Sequence, residues 1–324
     1  MLLKILRKLL FDYSFFLNKK RVYILMFHKV NNNQDLFYKG MPTQTFYSLI
    51  DYLLKHFQII HLTEISNLSF AKKKPYMVIT FDDGMDDIRT HVFDYLMDKK
   101  VKFTCNIDTK ILTDQKPQYF IQVYDILNQI KDDNLYFDSN YMTKPIYLNK
   151  HKPFETELAF TTLLSKMNTI EKNDFIDRML NKYNLSPSCF TKVITKDWIQ
   201  NQKENSYIHF GSHSHSHPIF SELSCDQIKS ELHISRTILE DILERKIKVF
   251  AYPNGESEKS TDDLIQDQGF EIILKTGDKL NEINLNESTI FYRINMYHQG
   301  IEMAILQAIG LLPKLRILKS KIWN

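Results

Sequence analysis

Short apolar runs alternate along the chain with longer segments in which apolar residues recur every three or four positions. Apolar runs bounded by turn residues are typical of buried strands, and the longer periodic segments are typical of helices. The predicted strands are residues 22–28, 77–81, 101–107, 208–212, 249–252, 270–275 and 290–294. The predicted helices are residues 43–56, 86–99, 155–167, 172–182, 225–245, 260–268 and 301–312. This alternation predicts an α/β fold with a parallel sheet or barrel.

The pattern changes between about residue 109 and residue 205, where lysine, asparagine and tyrosine become more frequent. A connection of this length is unusual inside a compact domain, so we predict an inserted helical subdomain. Residues 22–310 then form the main domain, between a basic amphipathic segment at 1–21 and a basic tail at 311–324. A chain of 324 residues is long enough for one large α/β domain of this kind.

Two acidic residues, Asp82 and Asp83, directly follow an apolar run, and Gly84 after them permits a tight turn. Adjacent side chains of an extended backbone point to opposite sides. At a strand end, one carboxylate can therefore bind a metal while the other acts as a base. An Asp-Asp-Gly sequence is also common in solvated turns, so it does not indicate a site by itself.

Three histidines alternate with serines in the segment 213–217, which is followed by a proline. Each buried imidazole needs a polar partner, so such a run is unusual in a core, although a surface loop would also accommodate it. His213 and His217 have the spacing H-x₃-H, and His215 points the same way if the backbone is extended. Together with the aspartate pair, this run predicts a divalent-metal site with an open coordination position.

The candidate residues share one position in the predicted fold. In barrels of parallel strands, functional side chains collect at the carboxyl ends of the strands. Residues at or just past predicted strand ends are His28, Asp82, Asp83, His213, residues 252–254 and Arg293. Their common placement supports a single site.

The same segments resemble one protein family. Residues 80–84, Thr-Phe-Asp-Asp-Gly, are similar to the first motif of the polysaccharide deacetylases with a NodB-type domain, carbohydrate esterase family four. Residues 213–218 resemble the second motif and residues 250–255 a variant of the third. Residues 24–30 are similar to the first strand of the branch that includes exopolysaccharide and O-antigen-cluster deacetylases. The resemblance implies an irregular (β/α) barrel of the polysaccharide deacetylase type with a helical insertion.

This resemblance also implies a role for each matching residue. Asp83, His213 and His217 would bind a divalent metal, with zinc as the expected ion. Asp82 would be the general base. The backbone N–H of Asn254, in the third motif, would stabilise the oxyanion that forms during hydrolysis.

Two departures from the family pattern change these expectations. The arginine of the third motif, which holds the base, falls at Ala251. We predict that Arg293 orients Asp82 in its place, although a salt bridge at the edge of the core would also account for Arg293. The late motif that carries the general acid has no clean match, and His28 and His298 are rival candidates for this role.

The implied activity is a metal-dependent hydrolysis that removes N-acetyl groups from amino sugars of a polysaccharide or lipid-linked glycan. Such an enzyme belongs to glycan biosynthesis at the cell envelope. One alternative is a glycan-binding protein that keeps the fold without catalysis. Another is a metal-dependent amidase or imidase that acts on a small amide.

The charge is unevenly distributed along the chain. Residues 1–21 carry a net charge of +5 and residues 310–324 a net charge of +4, while the net charge of the whole chain is only +3. The body between them is therefore acidic and has no aromatic-basic module, so nucleic acid is not an expected partner.

The N-terminal segment places Leu2, Leu6 and Leu9 on one helical face, with lysines away from it. This arrangement predicts either an interfacial helix on an anionic membrane or a helix packed on its own domain. We expect neither a cleavable signal nor a membrane span, and three scattered cysteines suggest no disulfide framework. The expected location is cytoplasmic, with peripheral contact at the inner face of the membrane.

Overall fold

The computed structural model describes residues 20–68, 73–131, 136–137, 146–255, 259–277, 280–283, 289–297 and 299–313. In chain order the strands are β1 Arg21–Phe27, β2 Gln58–Ile59, β3 Tyr76–Phe81, β4 Phe103–Ile107, β5 Tyr136–Phe137, β6 Ile146–Tyr147, β7 Ile208–Ser212, β8 Val249–Ala251, β9 Ile272–Thr276, β10 Asn281–Glu282 and β11 Ile290–Asn295. Each strand of the predicted series is present, within one or two residues of its predicted bounds.

Seven of these strands form a closed parallel barrel in the order β1-β3-β4-β7-β8-β9-β11, and β11 pairs again with β1. The short strand β2 extends β3 on the outside, and β10 pairs antiparallel with the start of β1. Strands of closed barrels covered by helices are buried on both faces, which explains their continuous apolar runs. In β3 all six residues are buried. The predicted (β/α) barrel is confirmed.

The helices are α1 Thr43–His56, α2 Asp94–Asp98, α3 Lys110–Asp114, α4 Tyr119–Gln129, α5 Pro153–Ser165, α6 Thr169–Lys182, α7 Lys196–Asn201, α8 Cys225–Leu243, α9 Lys259–Asp267 and α10 Ile301–Ala308. Capping boxes at Asn168 and Ser224 start α6 and α8. The prediction of one regular helix over 86–99 was wrong, because Ile88–Phe93 adopts π-helical turns before α2 begins. Such turns are frequent near functional sites.

The two largest of three apolar clusters belong to the barrel and to the connection between β4 and β7. The larger one joins the barrel strands to the surrounding helices and includes Leu25, Ile79 and Phe103, all without solvent exposure. Burying each such side chain contributes roughly 1.5–3 kcal/mol. A second cluster, which includes the fully buried Phe160, is built mainly from α4, α5 and α6 between β4 and β7. The helices of this connection therefore pack around a core of their own.

Most residues of the two basic termini lie outside the described residues, which begin at residue 20 and end at residue 313. Within the described ranges, no helix is both long enough and apolar enough to cross a membrane.

Candidate metal centre and active site

The aspartate pair lies in the turn that follows β3. The backbone N–H of Asp82 donates to the carbonyl oxygen of Phe27 at 2.9 Å, which continues the β1–β3 pairing for one more residue. Asp83 then adopts a left-handed conformation with φ of 71°, and Gly84 follows with φ of 65°. Asp83 Oδ1 lies 3.4 Å and Asp82 Oδ2 3.9 Å from Nε2 of His213. The two carboxylates therefore face one site rather than opposite sides of an extended chain, because Asp83 leaves the β conformation.

His213 follows β7, and hydrogen bonds fix its ring from both directions. Its backbone N–H donates to Ile107 at 2.9 Å, and its Nδ1 lies 2.8 Å from the carbonyl oxygen of Ala251. A carbonyl oxygen can only accept a hydrogen bond, so the neutral ring carries its proton on Nδ1. Its Nε2 therefore presents a lone pair toward Asp83. This is the arrangement that ligating histidines commonly adopt.

His217 reaches the same oxygen from the far side of a tight loop. Its Nε2 lies 3.4 Å from Asp83 Oδ1, and its ring packs 5.2 Å from that of Phe120. Ser214 and His217 both have positive φ, and the hydroxyl of Ser214 accepts the backbone N–H of His217 at 3.0 Å. Backbone conformations of this kind cost energy and recur at functional sites.

His215 turns away from the two other histidines. Its Nδ1 lies 2.9 Å from the hydroxyl of Thr109. The backbone N–H groups of His215 and Ser216 both donate to Glu231 Oε2 at 2.8 Å, so the carboxylate of α8 fixes this loop. Because the loop is not extended, the three histidines do not share one direction, and the alternative ligand that the spacing left open is removed.

Three ligand atoms, Asp83 Oδ1, His213 Nε2 and His217 Nε2, lie within 4.8 Å of one another. Asp83 Oδ1 is buried and has no hydrogen-bond partner among the described residues, which is costly unless a cation occupies the space beside it. The edge of a tetrahedron with bonds of about 2.1 Å measures about 3.4 Å, equal to both oxygen-to-nitrogen distances. The residues therefore fit a divalent metal. Asp83 Oδ2 accepts the hydroxyl of Tyr38, which orients the carboxylate.

Asp82 is surrounded by donors on its other oxygen. Its Oδ1 accepts from Arg293 Nη1 at 2.7 Å and from Asn106 Nδ2 at 2.8 Å. Asp82 is 1% and Arg293 0% exposed, so this ion pair is shielded from solvent. Burial raises the pKa of Asp82, but the charges of Arg293 and His213 outweigh it, and the pKa lies below its ordinary value. The guanidinium thus comes from β11, whereas Ala251 at the motif position contributes only its backbone carbonyl.

The remaining predicted site residues differ in how near they lie to this centre. His28 follows β1, with its ring 6.3 Å from that of Tyr38. Burial lowers the pKa of His28, and the charges of Asp83 and Asp82 oppose this shift. Asn254 sits in a left-handed turn with φ of 58° after β8. His298 lies outside the described residues.

Several residues of the site were not predicted. Asn106 and Asp108 flank the carboxyl end of β4, where the strand-end argument would have found them. Burial raises the pKa of Asp108 to about 7, while the charge of His217 opposes the shift. Tyr38 and Gln118, which bind Asp83 through its carboxylate and its carbonyl, lie in segments without any motif. No pattern in the sequence indicates these two.

A groove of about 490 Å³ begins at His217, one of the three candidate metal ligands. Its wall on one side carries His217 and Asn254 from the barrel loops. Residues of α4, α5 and α6, such as Phe120, Thr161 and Lys172, form the other wall. The connection between β4 and β7 therefore shapes the approach to the site.

Comparison with known proteins shows what part of the chain is similar to a known family. Residues 168–273 match the family model described as polysaccharide deacetylase, and this segment contains His213, His217 and Ala251. A search of curated proteins finds no match to the sequence.

Several solved structures share the fold over nearly the whole chain. The deacetylase PplD of Streptococcus pyogenes, solved with acetate, has a TM-score of 0.59 at 15% identity, covering 89% of this chain and 98% of its own. IcaB from Ammonifex degensii has a TM-score of 0.56 at 15% identity, covering 90% and 97%. The deacetylase domain of BpsB from Bordetella bronchiseptica has a TM-score of 0.51 at 12% identity, covering 86% and 96%. Residues 168–273 are therefore similar to the polysaccharide deacetylases, and the barrel fold is shared with solved deacetylases.

Proposed function

We propose that this protein is a metal-dependent N-deacetylase that acts on N-acetylated amino sugars of a polysaccharide or lipid-linked glycan. The family match and the fold support a deacetylase. The observation that carries the proposal is the buried contact between Arg293 and Asp82. It supplies the guanidinium that the third motif lacks, so the loss of arginine at position 251 does not leave the base unsupported.

Asp83, His213 and His217 would hold the metal, for which zinc suits the mixed oxygen and nitrogen ligands. A bound divalent ion would polarise a carbonyl oxygen and acidify water. Around it, the chain fixes the direction of each ligand. Ala251 holds the His213 ring through Nδ1, and Tyr38 holds the free carboxylate oxygen of Asp83.

Asp82 would take the proton from the attacking water. Its Oδ1 is engaged by Arg293 and Asn106, so Oδ2, on the side of His213, is the oxygen available to accept a proton. Because Asp82 stays ionised although it is buried, it can accept a proton at neutral pH. Proton transfer by a positioned side chain commonly contributes ~10²–10⁴-fold to a rate.

The oxyanion of the tetrahedral intermediate needs a hydrogen-bond donor. The nitrogen of the leaving amine needs a proton. We assign the first role to the backbone N–H of Asn254, whose turn borders the groove beside His217. For the second role His28 is the candidate among the described residues, since it lies in the electrostatic field of both aspartates. His298 stays the rival candidate.

The geometry favours this proposal over the two alternatives. A protein that only binds glycans does not need a buried, ionised carboxylate beside three candidate metal ligands. Burying the charges of Asp82 and Arg293 is unfavourable, so a catalytic role accounts for them better. An amidase for small cyclic substrates needs an enclosed pocket, whereas the groove of about 490 Å³ is open to solvent and shared between barrel and connection.

Acetate release tests the proposal directly. Purified protein is incubated with N-acetylated oligosaccharides and glycolipids, with and without added Zn²⁺ and after chelation. We expect metal-dependent release of acetate from at least one N-acetylhexosamine substrate, and release slower by ~10²–10⁴-fold with Asp82→Asn. Binding of the oligosaccharides with no release from any of them would instead support the non-catalytic alternative.

A further inference from the structure

The loop that joins β1 to α1 is built into the core of the connection between β4 and β7. Phe37, in this loop, has no solvent exposure and belongs to the apolar cluster of α4, α5 and α6. Asn128 of α4 holds the loop backbone, since its Oδ1 accepts the N–H groups of Leu36 and Phe37, both at 2.9 Å. Its Nδ2 donates to the carbonyl oxygen of Phe37 at 3.1 Å. One side chain of the connection therefore fixes two consecutive residues of this loop.

Tyr38 is the next residue of the loop, and the connection holds it as well. Its backbone N–H donates to Oε1 of Glu157, on α5, at 2.6 Å. Its ring stacks on that of Tyr124 at 6.1 Å and meets that of Phe120 edge to face at 5.7 Å, both on α4. Tyr38 has φ of 49°, a left-handed conformation that a tyrosine adopts at an energetic cost. The contacts with α4 and α5 therefore hold the tyrosine in this conformation and determine where its hydroxyl lies.

The hydroxyl of Tyr38 donates to Oδ2 of Asp83, whose other oxygen is the candidate metal ligand. Because Oδ1 is buried and has no hydrogen-bond partner among the described residues, the hydrogen bond to Oδ2 fixes the rotation of the carboxylate. A ligand that is already held in place loses less conformational freedom when the metal binds. A continuous set of hydrogen bonds thus leads from α4 and α5, through the loop, to one metal ligand.

We propose that Asn128 and Glu157 are positioning residues that set the metal affinity of the site through Tyr38. Neither side chain is hydrogen-bonded to a metal ligand among the described residues. The connection between β4 and β7 therefore does more than border the groove, because its packing determines where the Asp83 carboxylate points. This role rests on the metal binding that the proposed function assigns to Asp83, but it is independent of the substrate and of the deacetylation itself.

Zinc affinity, measured by competition with a metal-sensitive dye, tests this role. Asn128→Leu removes the three hydrogen bonds to the loop and keeps a side chain of similar volume. Substitution of the groups that orient metal ligands typically costs 10–100-fold in metal affinity. We therefore expect Asn128→Leu, Glu157→Leu and Tyr38→Phe each to weaken zinc binding by about tenfold. Glu157→Gln keeps an oxygen that can accept the N–H of Tyr38, so it should retain the affinity of the wild type.

A double variant distinguishes positioning from a general loss of structure. If Asn128 acts through the hydroxyl of Tyr38, its substitution adds nothing once that hydroxyl is gone. Tyr38→Phe/Asn128→Leu should then bind zinc as tightly as Tyr38→Phe alone. Thr156→Val is the control, because Thr156 is buried next to Glu157 on α5 and its hydroxyl accepts the N–H of Asn149 at 3.1 Å. This control should keep wild-type zinc affinity even where urea unfolding without metal shows lost stability.

Additive losses in the double variant overturn the positioning role, as do wild-type affinity in both Asn128→Leu and Glu157→Leu or an equal loss in Thr156→Val. If Asn128→Leu does not fold, Glu157→Leu in the Tyr38→Phe background makes the same comparison. Acetate measured in the same samples reports separately on the deacetylase. Zinc affinities that follow the expected pattern without acetate release contradict only the proposed function. Acetate release with unchanged zinc affinities in the variants contradicts only the positioning role, and wild-type protein that binds no zinc contradicts both.

Discussion

The guanidinium of Arg293 is buried against Asp82 with no exposure to solvent. Its Nη1 also lies 3.4 Å from the hydroxyl of Thr80, while Nε and Nη2 have no hydrogen-bond partner among the described residues. A buried cation is strongly unfavourable unless an anion compensates it, and the same holds for the carboxylate. Each of these two residues therefore depends on the other, and substitutions should affect both stability and catalysis.

Arg293→Gln tests this dependence. Without the guanidinium, burial dominates the environment of Asp82, its pKa rises, and a smaller fraction is ionised at neutral pH. Turnover should fall by roughly 10²-fold or more while the metal content stays near that of the wild type. Arg293→Lys keeps the charge and should retain more turnover. Near-wild-type rates in Arg293→Gln would show that Asp82 does not need this cation.

Measuring metal content and acetate release in parallel should distinguish the roles of Asp82 and Asp83. Asp82→Asn removes the base but no ligand atom, so it should keep the metal and lose ~10²–10⁴-fold in turnover. Asp83→Asn removes a ligand charge and should lose metal and turnover together. The opposite pattern would mean that the two carboxylates exchange roles.

The histidine loop offers a matched pair of variants. His217→Ala removes one ligand and should weaken zinc binding by at least about 10-fold, whereas His215→Ala, two residues away in the same loop, should leave it unchanged. Titration with a metal-sensitive dye measures both affinities. Equal affinities for His217→Ala and the wild type would exclude His217 as a ligand.

Asp87 should make the folded state sensitive to pH. Burial raises its pKa to about 7, so the folded protein holds a proton that the unfolded chain has released between about pH 4 and pH 7. Stability from this group is therefore complete below about pH 4 and is lost as the pH rises through 7. Relative to the wild type, Asp87→Asn should become progressively more stable over this interval.

Urea unfolding of Asp87→Asn at intervals from pH 4 to pH 8 measures this trend, and its slope cannot exceed about 1.4 kcal/mol per pH unit for one proton. Asp174→Asn, on the exposed surface of α6, is the control and should show no such trend. A pH-independent difference between Asp87→Asn and the wild type would contradict the protonation of Asp87 in the folded state.

At the scale of secondary structure, the strand-end rule predicts much of the site. Asp82, Asp83 and His213 directly follow β3 and β7, so their local sequence is enough to place them at one end of the barrel. The histidine loop shows the limit of this reasoning. Positive φ values at Ser214 and His217 decide which rings face inward, and no periodic pattern encodes such turns.

Contacts between elements distant in sequence were the least predictable. Tyr38, in the segment after β1, and Gln118, before α4, both bind Asp83 across the top of the barrel. Their positions follow from packing, since the second apolar cluster brings α4 beside the loop of Phe37. The π-helical turns over Ile88–Phe93 are a further example, because their sequence has the same apolar spacing as an α-helix.

On the scale of the whole molecule, the basic segments at residues 1–21 and 311–324 contrast with an acidic body. We propose that they hold the protein at the inner, anionic face of the cytoplasmic membrane, near a lipid-linked glycan. Each basic residue near such a surface contributes about 1 kcal/mol, and salt weakens the attraction. The full-length protein should therefore sediment with anionic vesicles at low salt, and less so at high salt.

Removing residues 1–21 should weaken vesicle binding while zinc binding stays unchanged, and neutral vesicles serve as the control. Full-length protein that remains in the supernatant with anionic vesicles at low salt would instead indicate that the N-terminal segment packs on its own domain.

The contact between Asp82 and Arg293 also determines the order in which parts of the site can form during synthesis. These residues are 211 positions apart in the chain, and Arg293 lies on β11, the strand that closes the barrel against β1. A ribosome therefore delivers both metal-binding motifs well before the cation that Asp82 requires. Until β11 is in place, burying Asp82 as an anion is strongly unfavourable. Closing the barrel and burying Asp82 as an anion are thus one step, and a chain interrupted before residue 290 holds every candidate metal ligand but not the arginine that compensates the base.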